Sequence, residues 1–139
     1  MLVVPTGWAS DTVGDPIVIT WNASKEARRA ITDALPLLST AHSVKILIVD
    51  AAVTADRHGE EAGANIAGHL ARHGAKVEIE QLSSNGTPVA QTIPNAAAHH
   101  RADLIVMGAQ SHSRSRQLLF GGVTRAILKE TSVPAMTSH

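Results

Sequence analysis

The chain contains no cysteine and very few aromatic side chains, two tryptophans and one phenylalanine among its 139 residues. Without cysteine, a disulfide framework, a thiolate zinc site and a cysteine nucleophile are all excluded, and a reducing cytoplasm is the compartment that such a chain suits. With so few aromatics the core falls to Ala, Val, Leu and Ile, a composition that fits a sheet covered by helices. Charge of one sign is also lacking. Twelve Lys and Arg balance twelve Asp and Glu, and no long run of either sign occurs. That removes the electrostatic footprint that nucleic acid or an anionic membrane requires. No apolar run approaches the roughly 20 residues of a membrane helix. "MLVVPTGW" lacks the basic start and long apolar stretch of a signal peptide. The length fits one domain with a real core.

What is present is an alternation of greasy runs and helical stripes. "PIVITW" (16–21) is β-branched and apolar and predicts a strand buried on both faces. The next segment places Ser24 as an N-cap and Ala27, Ala30, Ile31, Ala34, Leu35 and Leu38 on one helical stripe. Pro36 is expected to kink or end that helix near its last turn. "SVKILIVDA" (43–51) predicts a second buried strand. Residues 59–73 predict a helix with Ala62, Ile66 and Leu70 inward and Gly74 as its stop. "AKVEIEQL" (75–82) sets Val77 and Ile79 against Lys76, Glu78 and Glu80, the pattern of an edge strand with one wet face. A helix opens at Thr87 with Pro88 in its first position, although Pro94 is awkward inside it. "DLIVMG" (103–108) is the next strand, "GGVTRAILKET" the last helix and "VPAMTS" (133–138) the closing strand.

Such a βαβαβαβαβ order demands parallel pairing with right-handed crossovers. The expected fold is α/β: a three-layer, open, five-stranded parallel sheet of order 3-2-1-4-5 with helices on both faces. Its switch point lies between the first and fourth strands, and ligands bind beyond the strand carboxyl ends at such a point. Thr20, Trp21, Asn22 and Ala23 would meet residues Met107 to Ser111 there. Residues 1–15 form an extension before the domain of 16–139. Leu2 to Pro5 resembles a further short strand. No helix separates it from the first strand, so it adds at a sheet edge or pairs with another subunit.

The glycines at 108, 121 and 122, with basic and hydroxyl side chains between them, admit two readings. One is a phosphate cradle and the other a tight strand-to-helix turn. "VITWNASKEARRAI", "DLIVMGAQSH" and "GGVTRAILKETSVPAMTSH" together resemble the universal stress protein family, whose fold is the adenine nucleotide alpha hydrolase-like version of the sheet above. "TWNAS…ALPLL" and "HSRSR…FGGVTR" resemble the second half of tandem members, and "MLVVP" the tail of a first half. The resemblance implies a non-catalytic stress-response protein, a homodimer through terminal strands and, in one branch of the family, ATP. That branch carries G-x-x-G, nine residues, then G-[ST]. Glycines let main-chain N–H groups approach phosphates, a helix N-terminus adds partial positive charge, and the hydroxyl donates once more.

Here Gly108 and Ser111 are followed, after His112 to Phe120, by Gly121 and Gly122. The spacing is kept and the residue types only in part. Ser111 stands where the second glycine belongs and Gly122 where the hydroxyl belongs, with Thr124 two residues on. Asn22 replaces the family's usual Asp, and Trp21 either stacks on an adenine or blocks it. His112, Arg114 and Arg116 offer cations for phosphate oxygens or simply a solvated surface. Ile48, Met107 and Val123 complete the adenine-nucleotide contacts that the resemblance implies. The other reading is an interaction module that has lost nucleotide binding.

Remaining candidates carry less. No Walker P-loop and no G-x-S-x-G elbow occur. His69 and His73 share a helical face, but no third ligand accompanies them, and no metal is expected. His58, His99 and His100 fit a surface. Asp50 ends the second strand and could meet a ribose or a lone Mg²⁺, which is too little to argue an ATP hydrolase.

Overall fold

The fold is a computed structural model that describes residues 2–5, 8, 15–21, 25–49, 59–82, 89–108, 126–129 and 131–138. In chain order the elements are β1 (Leu2–Val3), β2 (Ile17–Thr20), α1 (Lys25–Leu38), β3 (Val44–Val49), α2 (Gly59–Arg72), β4 (Val77–Leu82), α3 (Val89–His99), β5 (Leu104–Gly108) and β6 (Ala135–Ser138). Residues 126–129 are also helical. The helix starts expected at Ser24, Thr87 and Gly121 lie outside the described residues.

The sheet order is β1-β6-β5-β2-β3-β4. The five strands from β6 to β4 are parallel and reproduce the expected 3-2-1-4-5 arrangement. The sheet is nonetheless six-stranded, because β1 adds antiparallel to β6, with Leu2 opposite Met136 and Val3 opposite Ala135. Of the two fates open to the first residues, the edge of the chain's own sheet is the one taken. A tight antiparallel addition needs no crossover helix, which is why the short linker suffices.

Strand periodicity splits the core in two. Ile17, Ile19, Val44, Ile46, Leu104 and Val106 face α1 and α2, against Ala30, Ile31, Leu38 and Leu70. Val18, Leu47, Ile105 and Met107 face α3 and the helical residue Ile127. Because both faces are covered, the central strands read as continuous apolar runs. Each buried Ile, Val or Leu contributes about 1.5–3 kcal/mol. Ala27, Ala30 and Ala34 line the buried side of α1, and their small size lets that helix sit close to β5.

Helix ends follow local chemistry. α1 runs two residues past Pro36, whose missing N–H falls in the last turn. Pro94 lies in the middle of α3 and withholds the N–H that the carbonyl of residue 90 would otherwise receive. α2 and α3 close alike. Ala75 N donates to Leu70 O and Gly74 N to Ala71 O; Ala102 N donates to Ala97 O and Arg101 N to Ala98 O. These are Schellman closures, which require a left-handed residue. Gly74 supplies it at φ 89 and Arg101 at φ 55, so the second closure proceeds without glycine.

The edge strand β4 departs from the expected alternation. Ile79 is 40% exposed, whereas Glu80 is half-buried and accepts from His100 Nε2 at 2.9 Å. α2 covers the Ile79 side of this outermost strand incompletely. On the other face, the end of α3 brings His100 down onto Glu80. Beside it Lys45 pairs across the ladder with Glu78 at 2.5 Å, and the ammonium holds the Glu78 carboxyl below its ordinary range. Both faces of this edge are therefore partly wet.

At the amino end of the sheet the Asp15 carboxylate accepts from the His42 main chain at 2.8 Å and from its Nδ1. Asp15 N donates to Asp103, and Asp103 N donates to Pro16 O at 3.0 Å. The start of β2 is thus tied to both flanking connections. The His42 ring above all holds the Asp15 carboxyl below its ordinary 3.8, against an opposing effect of burial and with lesser help from main-chain N–H groups. A carboxyl whose folded value is depressed stabilises the fold fully above its unfolded value, and that stability is lost as pH falls through the folded value. The pair is solvent-exposed, so the effect is modest. Asp15→Asn should lower the urea midpoint at about pH 7 and approach the parent at about pH 3. A difference that persists unchanged in acid would refute this assignment.

Candidate functional site

β2 lies between β3 and β5, parallel to both. From β2 the chain proceeds through α1 to β3 on one side, while β5 leads to β6 on the other. The carboxyl ends of β2 and β5 consequently sit side by side at the point where the strand order reverses. Ile19 pairs with Val106 in register, which sets Thr20 and Met107 in the next row.

The sequence candidates within the described residues divide between the two faces. Thr20, half-buried, follows Val18 by two residues and lies on the α3 face with Met107, which is buried. Trp21 and Ile48 belong to the opposite cluster, with Ile19 and Ile46. Trp21 N donates to Leu47 O at 3.0 Å, extending the β2–β3 ladder by one bond. The indole therefore goes to the α1 and α2 side and does not form a wall with Met107. Asn22, Asp50, Ser111, His112, Arg114, Arg116, Gly121, Gly122, Val123 and Thr124 lie outside the described residues.

Gly108 ends β5 opposite Ser138 of β6. A Cβ built there would lie 2.6 Å from Ala27 N, 2.7 Å from the Glu26 carbonyl carbon and 2.9 Å from Glu26 Cβ. The first turn of α1 thus rests directly on the glycine. That contact accounts for a glycine at 108 by packing alone. It also sets the positive end of the α1 dipole beside the carboxyl end of β5, a placement favourable to an anion. Glu26, in the same turn, partly neutralises that field.

Among the described residues no three His, Asp or Glu side chains converge as metal ligands. The His69 and His73 rings lie with centroids 4.7 Å apart and planes tilted by 54°, and His73 Nδ1 lies 2.9 Å from His69 O. No helix among these residues is long and apolar enough to cross a membrane. A concavity that the sequence candidates did not anticipate lies on the α1 and α2 face, with Trp21 in its floor and Arg28, Thr32, Asn65 and His69 around it. The signal for it was available. Positions 28 and 32, and 65 and 69, are polar i, i+4 pairs flanking the inward Ile31 and Ile66.

Comparison with known proteins adds the family. Residues 15–139 match the model of the universal stress protein family. A stretch of 68 residues, 49% of the chain, is 35% identical to universal stress protein Slr1230 of Synechocystis and covers only 23% of that protein. The fold is similar to that of universal stress protein UspA from Lactobacillus plantarum, with a TM-score of 0.74 at 20% identity, covering 93% of this chain and all of the other. It is also similar to a universal stress protein solved in complex with cAMP, with a TM-score of 0.72 at 18% identity over 92% and 98% of the two chains. At such identities the structural likeness concerns the fold alone.

The contact at Gly108 can be isolated. Gly108→Ala forces a methyl against main-chain atoms of α1 that have no rotamer to yield, and overpacking of this kind costs about 1–3 kcal/mol. Denaturation of the unliganded protein should show that loss. Unchanged stability would mean that α1 does not rest on the glycine.

Proposed function

The chain belongs to the universal stress protein family, and on that premise we propose that it is a non-catalytic binding protein that holds an adenine nucleotide, ATP foremost, at the carboxyl ends of β2 and β5. The observation that carries this reading is the coincidence of two structural features at the end of β5 with a spacing kept in the sequence. These are the switch between β2 and β5, the N-terminus of α1 laid on Gly108, and the kept spacing from Gly108 through Ser111 to Gly121 and Gly122. The similar protein solved with cAMP supports it by analogy. Thr20, Asn22 and Met107 would receive the base and sugar. Gly108, Ser111, His112, Arg114 and residues Gly121 to Thr124 would surround the phosphates. The role in this reading is binding rather than hydrolysis, as the family relation implies, in the cytoplasm, where such nucleotides are abundant.

A thermal-shift series with ATP, ADP and AMP tests the site. At about 100 times its dissociation constant a nucleotide stabilises the fold by about 2.7 kcal/mol. The paired change Ser111→Gly and Gly122→Ser should raise affinity, because it restores a glycine's freedom and a hydroxyl donor. A flat response to all three nucleotides would transfer the protein to the interaction-module reading.

The partner in this reading is a second copy. β6 already has β1 on its outer side, so a homodimer joins the free edges of two β1 strands, where Leu2 is 49% and Val4 52% exposed. Mass measurement in solution should give twice 14.6 kDa, and Leu2→Asp should shift it to a monomer. A parent protein that is monomeric at micromolar concentration would contradict the pairing.

A further inference from the structure

The central strand β2 is unevenly roofed on its α1 and α2 face. α1 packs over β5 and β6, whereas α2 packs over β4 and β3, so the two helices diverge above the carboxyl end of β2. The gap is a cleft of about 350 Å³. Its floor is apolar, made of Trp21, Ile31 and Ile66, all at least nine-tenths buried. Its rim is polar and exposed: Arg28 and Thr32 from α1, Asn65 and His69 from α2.

One atom in this floor is chemically unmatched. Trp21 Nε1 is shielded from water and has no hydrogen-bond partner among the described residues. A buried indole N–H without an acceptor is unfavourable by the full desolvation of the donor, and buried tryptophans ordinarily find one. The rim carries one fixed cation. Arg28 can only donate, Asn65 and His69 can donate or accept, the Thr32 hydroxyl already donates to Arg28 O at 3.0 Å, and among the described residues no carboxylate lines the cleft. Among the described residues the Arg28 guanidinium has no ion pair. An apolar floor with a few convergent polar groups is the usual anatomy of a small-molecule site.

We infer that the cleft between α1 and α2 binds a small amphipathic carboxylate, its apolar body on Ile31, Ile66 and the Trp21 ring, and its anionic end held by Arg28. An apolar molecule alone would leave the cation unused, and an inorganic anion would leave the floor uncovered. This site lies on the opposite face of the sheet from Met107 and stands independently of nucleotide binding, though it shares with that crevice the end of β2.

Octanoate is a suitable probe, with octan-1-ol as the neutral control and the Trp8→Phe variant leaving Trp21 as the sole indole. Octanoate should change Trp21 emission saturably and shift the indole N–H resonance. Octanol should bind at least about tenfold more weakly, a difference of about 1.4 kcal/mol. Arg28→Gln, an exposed change on a helix surface, should weaken octanoate by a similar factor and leave octanol unaffected. If Trp8→Phe does not fold, the parent protein serves, with the Trp21 resonance assigned by its loss in Trp21→Phe. The proposal is overturned by absence of a saturable response to octanoate, by equal affinity for octanol, or by an unchanged affinity in Arg28→Gln. Displacement of octanoate by ATP would also overturn it, since the carboxylate would then occupy the nucleotide crevice.

Discussion

Parallel pairing of β2 with both β3 and β5 is the constraint on which the rest of the structure depends. It compels crossovers, and the crossovers put helices on both faces. The covered faces in turn require residues such as Ile17, Val18 and Ile19, apolar in succession rather than in alternation. The same pairing leaves two carboxyl ends adjacent with the chain leaving in opposite directions. A crevice at that place is a consequence of topology before any side chain is considered, and side chains decide only what it can hold.

Gly108 illustrates how packing and function become entangled at such a point. A glycine after a buried strand invites a phosphate-cradle reading. Its missing Cβ is already required by the first turn of α1, 2.6 Å from where that carbon would be. The two explanations are not rivals, because the close approach that excludes a side chain is also what brings the helix N-terminus to the strand end. The glycine by itself is therefore weak evidence for a ligand. The argument must rest on the spacing to the later glycines and on the relation to the family.

Periodic features were legible in the sequence. The succession of buried strands, the apolar stripe of α1, Gly74 as the stop of α2 and the order of the parallel strands all follow from short-range pattern and connection rules. Features fixed by distant neighbours were not. Nothing local says that residues 2 and 3 find β6, since that contact spans nearly the whole chain. Ile79 and Glu80 show exposures opposite to their hydropathy because coverage at an edge depends on where α2 and the end of α3 reach. Arg101 occupies a left-handed position that a sequence reader would reserve for glycine. Trp21 lies between these cases. Counting by twos from Ile17 and Ile19 assigns its face correctly, but its attraction as an adenine platform directs attention to the other side.

The scarcity of aromatics gives that tryptophan its weight. A core built from Ala, Val, Leu and Ile closes well where helices sit directly on strands, as Ala27, Ala30 and Ala34 allow α1 to do over β5. Where α1 and α2 diverge, residues of that size do not reach across, and Trp21 is the large side chain at hand in the floor. Filling the gap with an indole brings a polar N–H into an apolar place, which an equally large hydrocarbon would not. The fold accordingly tolerates an unmatched donor at the one position where its two roof helices part.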